Sequence, residues 1–174
     1  IGGIEQYLRN LLENLIEATD YKIYLFLNPY NFNEFIMDSI QITKINIYPS
    51  ESAHELEEQF HQWISELDIN VWFCPLFSLL PKKPTVPSVV LIPDVQHEFF
   101  PHFFSLSELQ SRQSNINHAV KEASAILPIS NFSRCTIIDQ YKVPEDKVHV
   151  IYGDAPKEFL LPKEKESKHN VKTK

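Results

Sequence analysis

Apolar residues along this chain change repeatedly between helical spacing and short continuous runs. At the start, Ile4, Leu8, Leu11 and Leu15 recur at helical spacing and predict a helix over 4–16. Further helices are predicted over 31–40, 52–67, 105–123 and 131–140, and strands over 22–27, 42–48, 70–76, 89–92, 125–129 and 147–152. This order of elements predicts an α/β fold.

Strands that alternate with helices are typical of a parallel sheet covered on both faces, which is a doubly wound arrangement. Two serines, at positions 52 and 105, each precede a glutamate by three residues and predict capping boxes where two of the helices begin. A glycine pair that opens a helix usually follows a strand in such folds. We therefore expect a strand before Gly2 and Gly3, which makes an N-terminal truncation the expectation.

Composition narrows the class of protein. A chain of 174 residues fits a single domain with a real core. The net charge of -7 argues against a nucleic-acid-binding surface, which needs clustered Lys and Arg. Lysines do gather in residues 163–174, where a solvated tail is favoured over a binding patch. The two cysteines form neither a disulfide framework nor a metal site and fit a reducing cytosol.

The segment Val89–Phe104 carries the strongest functional signal. A buried strand ends at Pro93, and Asp94, His97 and Glu98 follow it. Open α/β sheets place ligands at the carboxyl ends of their strands. The alternative is structural: Asp94 caps a turn, and His97 packs among Phe99, Phe100 and Phe103. The spacing of the histidines does not fit the HExxH zinc motif, so no metal is expected.

Two helix starts are weaker candidates. Gly2 and Gly3 could bring backbone amides close to a phosphate, or they could only begin a helix. Ser130 and Asn131 join a strand to a helix, and Ser130 is well placed as an N-cap. Amides and hydroxyls at this junction could also face a ligand. Taken singly, the cap is the favoured role.

In order along the chain, three segments resemble the N-terminal half of glycosyltransferase family 4, the retaining GT-B enzymes. They are GGIEQYLRNLLENL, VVLIPDVQHEFFPHFFS and AILPISNFSRCTIIDQYKVPEDKVHVIY. The resemblance covers about residues 1–156. It implies a Rossmann-like acceptor-side domain over 1–156 that lacks its first strand, and a linker over 157–174 leading to a missing donor-binding domain.

The same resemblance implies an enzyme that moves a sugar from a nucleotide-sugar donor to a glycan or lipid acceptor, as in polysaccharide biosynthesis, without a metal or other cofactor. Asp94 and His97 would act at the reaction centre, with Gly2, Gly3, Glu98, Ser130 and Asn131 binding substrate. Substrates in this architecture lie between two domains, so this chain alone is expected to be inactive. The implied location is cytoplasmic, and docking at the inner membrane stays open.

One residue departs from the family pattern. Many members place a histidine where this chain has Pro93, and His97 is the candidate to replace it. Two alternatives therefore remain open. One is another GT-B enzyme, such as a nucleotide-sugar epimerase. The other is a non-catalytic carbohydrate-binding domain of the same fold, with Pro93 marking the lost chemistry.

Overall fold

A computed structural model describes residues 3–48, 50 and 52–153 of the chain, and the expected linker over 157–174 lies outside them. Helices and strands alternate as predicted, so the fold class is α/β. The helices are α1 (Gly3–Ala18), α2 (Pro29–Phe32), α3 (Ala53–Glu66), α4 (Gln96–Phe99), α5 (Leu106–Glu122) and α6 (Asn131–Tyr141). The strands are β1 (Ile23–Leu27), β2 (Ile42–Asn46), β3 (Trp72–Cys74), β4 (Ser88–Leu91) and β5 (Ala125–Leu127). Short 3-10 turns span Pro101–Phe103 and Glu145–Lys147.

Every strand pair is parallel within the described residues, but the strands form two small sheets. One sheet joins β1 to β2, with Ile23 opposite Ile42 and Leu27 opposite Asn46. The other has the order β3-β4-β5. The parallel pairing agrees with the prediction from the alternating pattern, and the described strands form one sheet of two strands and one of three.

The strand predicted over 147–152 is reduced to a single parallel bridge between Ile126 and Val148. The chain still runs beside β5, since the His149 amide donates to Ile126 O and the Ile151 amide donates to Pro128 O, both at 2.9 Å. Pro128 has no N–H that could donate to this segment, so the ladder of hydrogen bonds is interrupted.

The helix predicted over 31–40 is wrong in extent. The observed helix α2 is a single turn over Pro29–Phe32, and the Asn28 side chain caps its start.

The hydrophobic core lies beneath the three-stranded sheet. Its fully buried members include Val90 and Ile92 from β4 and the segment after it, Ile116 from α5, Ile126 from β5 and Ile137 from α6. By contrast, no described residue from 3 to 48 is buried. The two regions meet through aromatic rings: the Phe26 ring lies 5.0 Å from the Trp72 ring and 6.0 Å from the Phe60 ring.

Among the helices of the described residues, none is long and apolar enough to cross a bilayer.

The two predicted capping boxes differ. At α5, the Glu108 amide donates to Ser105 Oγ at 3.3 Å, and the Ser105 amide donates to Glu108 Oε2 at 2.8 Å, so that box is complete. At α3, Ser52 Oγ accepts from the Glu55 amide, but the Glu55 carboxylate accepts from Ser50 Oγ at 2.6 Å. Only half of the second box is therefore formed.

Replacing Ser105 with alanine is expected to lower the free energy of unfolding by about 1 kcal/mol, because the first turn of α5 loses its side-chain acceptor. Urea denaturation measures the change. The matched control is Ser114→Ala, at an exposed position within the same helix. A control variant that loses as much stability as Ser105→Ala would contradict the capping role.

Candidate functional site

Asp94 lies just beyond the carboxyl end of β4. Leu91, Ile92 and Pro93 are buried, and the chain then emerges so that Asp94 is exposed. Its Oδ1 accepts a hydrogen bond from the Gln96 amide at 3.0 Å. Asp94 therefore shapes the turn into α4, as the structural alternative predicted, while its carboxylate stays open to solvent. The two roles are compatible at this position.

His97 lies in the protein interior, with 1% of the residue exposed. Its ring meets the Phe104 ring edge-on at 6.5 Å. The three phenylalanines that were the expected packing partners are instead exposed by about half or more: Phe99, Phe100 and Phe103. The structure therefore gives His97 an aromatic neighbour, Phe104, beyond the three that were expected.

A hydrogen-bond network joins α4 to the end of α6. The Tyr141 hydroxyl donates to Glu98 Oε1 at 2.7 Å and lies 3.2 Å from His97 Nε2. The same His97 nitrogen lies 3.3 Å from Glu98 Oε1. Two of the predicted site residues, His97 and Glu98, thus contact each other, and both contact the Tyr141 hydroxyl. The sequence assigned no role to Tyr141.

The environment of this network fixes its protonation. Burial lowers the pKa of His97, helped by the Arg112 cation and opposed by the Glu98 and Asp94 carboxylates. Burial also raises the pKa of Tyr141, and the hydrogen bond to Glu98 and the charge of Glu98 raise it further. At neutral pH, Tyr141 is therefore a phenol that donates its proton, and His97 is an uncharged imidazole.

Arg112 of α5 is the nearby cation. Its guanidinium lies over the Phe104 ring at 4.6 Å and over the Phe77 ring at 5.1 Å. These contacts hold the arginine between two aromatic faces. They keep a positive charge next to the buried imidazole.

Ser130 caps α6 at the carboxyl end of β5. Its Oγ accepts from the Ser133 amide at 3.1 Å and donates to Ser133 Oγ at 3.0 Å. The Ser130 hydroxyl thus acts as both acceptor and donor within the first turn of α6. Asn131, the first residue of α6, is exposed. Next to it, the Phe132 ring lies 5.5 Å from the Phe99 ring, which brings the two predicted segments together at the surface.

Of the two glycines in the predicted pair, the structure describes Gly3. Gly3 is the exposed first residue of α1, with open space where a Cβ would stand. Gly2 lies outside the described residues. One turn further on, the Tyr7 hydroxyl donates to Ile151 O at 3.3 Å, in the segment that runs beside β5. This bond places the first half of α1 against that segment.

No group of three or more His, Cys, Asp or Glu side chains in the described ranges could hold a metal ion. What the site offers is a set of hydrogen-bond acceptors and donors at the carboxyl ends of two neighbouring strands, β4 and β5, with exposed aromatic rings beside them. Such an arrangement can bind and orient a polar, hydroxyl-bearing ligand. No model of a known protein family and no curated protein matches the chain.

Proposed function

We propose that this chain is the Rossmann-like N-terminal domain of a retaining glycosyltransferase similar to family 4. One observation carries the proposal. The motif residues after β4 and the start of α6 after β5 lie at the same edge of a parallel sheet, where the Phe99 and Phe132 rings are 5.5 Å apart. That edge is where doubly wound α/β folds bind ligands.

The proposed fold goes one step beyond the two observed sheets. One further parallel strand between β1 and β3 would join them in the order β2-β1-new strand-β3-β4-β5. This is the strand order of a Rossmann-like sheet. The packing of Phe26 from β1 against Trp72 from β3 supports two sheets that lie side by side.

In the proposed reaction, the chain positions a sugar rather than attacking it. The exposed carboxylate of Asp94 and the partly exposed carboxylate of Glu98 accept hydrogen bonds from sugar hydroxyls. In this proposal, backbone amides of Gly2 and of Gly3, the first residue of α1, approach the donor phosphates. Ser130 shapes the cleft rim through its cap, and Asn131 offers a free amide group there. Transfer then depends on orientation and on stabilisation of the leaving diphosphate.

A second domain would supply the nucleotide-sugar pocket, reached through the linker over 157–174. The proposed acceptor is a glycan or lipid, and the proposed site of action is the cytoplasm, including the inner membrane face. No metal or other cofactor is part of the proposal.

A carbohydrate-binding domain without catalysis is the second candidate. The burial of His97 favours it, because a residue with 1% exposure cannot reach a sugar without a rearrangement. Pro93 also lacks a side-chain hydrogen-bonding group. This candidate shares the sugar-contacting role of Asp94 and differs only in turnover.

Nucleotide-sugar transfer decides between the two candidates. The assay follows nucleoside diphosphate release with a panel of nucleotide sugars, for this chain alone and for the protein in which it is joined to a nucleotide-sugar-binding domain. We expect no transfer by the chain alone and transfer by the joined protein. In the joined protein, Asp94→Ala is expected to lower kcat/KM by about 10- to 100-fold, the usual value of a lost charged hydrogen bond.

The matched control is Asp20→Ala, an exposed carboxylate before the amino end of β1 and thus away from the proposed edge. It should leave kcat/KM unchanged. Transfer by the chain alone would refute the half-site proposal. Sugar binding without turnover by the joined protein would identify a binding domain.

A further inference from the structure

The positions of the protons in the His97–Glu98–Tyr141 network follow from its geometry. The phenol of Tyr141 donates to Glu98 Oε1 across 2.7 Å. The phenol oxygen is then an acceptor for its other neighbour, His97 Nε2, at 3.2 Å. The proton of the neutral imidazole therefore lies on Nε2, and Nδ1 carries the free lone pair.

The three members of the network differ in their access to solvent. The His97 side chain is 0% exposed, whereas the Glu98 side chain is 25% exposed. His97 Nδ1 is buried and has no hydrogen-bond partner among the described residues. The imidazole thus lies behind the carboxylate, while Glu98 and Tyr141 are both partly exposed.

We infer that Glu98 is the residue that contacts ligand, and that Tyr141 and His97 are positioning residues that hold its carboxylate by one oxygen. Both partners meet Oε1. Lone pairs that remain on the carboxylate are then available to a ligand. This inference rests on the proposed function only where it names that ligand as a sugar.

The charges around the network define the chemistry of the ligand. Asp94 is exposed and the Glu98 side chain is 25% exposed, so two carboxylates face solvent beside the buried His97. They favour hydroxyl donors and repel anionic groups. Burial of the ring lowers the pKa of His97, and the positive charge of Arg112 in α5 lowers it further. If the ligand is a sugar, as the proposed function has it, the group that meets Glu98 is therefore a hydrogen-bond donor such as a hydroxyl and not an anionic group.

Nitrogen NMR of the imidazole tests the positioning part without any ligand. With ¹⁵N-labelled histidine at pH 7, we expect His97 to show a protonated Nε2 and a bare Nδ1. Tyr141→Phe removes the acceptor oxygen and should shift the Nε2 resonance or change the tautomer. The control Tyr152→Phe, at an exposed tyrosine, should leave the spectrum unchanged. A proton on Nδ1 in the wild-type protein, or an unchanged spectrum in Tyr141→Phe, would overturn the positioning role.

Saturation-transfer NMR with methyl α-glucoside, methyl α-mannoside and methyl α-galactoside tests the ligand contact. Glu98→Gln keeps the shape of the side chain and removes its charge, and binding is expected to weaken about 10-fold or more. Tyr141→Phe should weaken binding less, because the carboxylate remains but is no longer held. The control Glu34→Gln, at an exposed glutamate, should bind like the wild type.

The outcomes separate this inference from the proposed function. Glycoside binding that survives Glu98→Gln unchanged would overturn the role of Glu98 while leaving the proposed function in place. If none of the three glycosides binds the wild-type protein, the ligand-facing role fails together with a sugar-binding function. The imidazole spectrum then still decides whether Tyr141 positions His97.

Discussion

Replacing Ile126 with alanine is expected to lower the free energy of unfolding by about 2–5 kcal/mol, the usual cost of truncating a large core side chain. Ile126 is 0% exposed and lies at the centre of β5. It pairs with Val90 on one side and forms the bridge to Val148 on the other. A cavity here removes contacts from both neighbours, and a short strand between them has little room to collapse.

Urea denaturation followed by circular dichroism measures this loss. The matched control is Ile40→Ala, because Ile40 is fully exposed and its truncation should change stability by no more than about 0.5 kcal/mol. Equal losses in the two variants would contradict the position of Ile126 in the core. A change in the denaturant slope alone would point instead to an altered unfolded state.

Acidification below pH 6.5 is expected to destabilise the protein through His97, whose pKa is lowered from its ordinary value of 6.5. The unfolded chain then binds a proton that the folded chain excludes. Stability from this group is therefore fully present above pH 6.5. It is lost as the pH falls from 6.5 to the lower folded-state pKa, with a slope of at most about 1.4 kcal/mol per pH unit.

His97→Gln tests this assignment, because the amide of glutamine can still donate towards Tyr141 but does not titrate. Urea midpoints measured between pH 7.5 and 5 should fall less steeply for this variant than for the wild type. The control His54→Gln, with a side chain 81% exposed, should keep the wild-type slope. Parallel pH profiles for wild type and His97→Gln would show that His97 does not carry the acid sensitivity.

Local patterns in the sequence predict most of the secondary structure. The helix over 105–123 is observed as α5, because the Ser105–Glu108 box defines its start and acts through neighbouring residues only. The sequence prediction fails where other local interactions determine where a helix starts or form a short helix. Pro29 and the Asn28 cap favour a helix start earlier than expected, and the short α4 follows a turn that the Asp94 side chain stabilises. The joining of strands into sheets depends on distant segments and could not be predicted in detail.

In the candidate site too, some features have a local sequence signal and others depend on contacts between distant segments. Asp94 and Ser130 were identified because a polar residue at a strand end is visible in the local sequence. The sequence assigns no role to Tyr141, although the motif that resembles family 4 contains it. Its partner Glu98 lies 43 positions away along the chain, and only the fold brings them together. The burial of His97 depends on α5 and α6 and has no local signal.

The absence of buried residues between positions 3 and 48, within the described chain, has a consequence for how the protein opens. Segments with little buried apolar surface separate from a domain at lower free energy than its core does. The unit α1-β1-α2-β2 should therefore open and close while β3, β4, β5 and the Tyr141–Glu98 bond stay formed. A ligand held between α1 and the β4–β5 edge would have to order this unit when it binds. Part of its binding energy would then appear as increased rigidity of the N-terminal quarter of the chain.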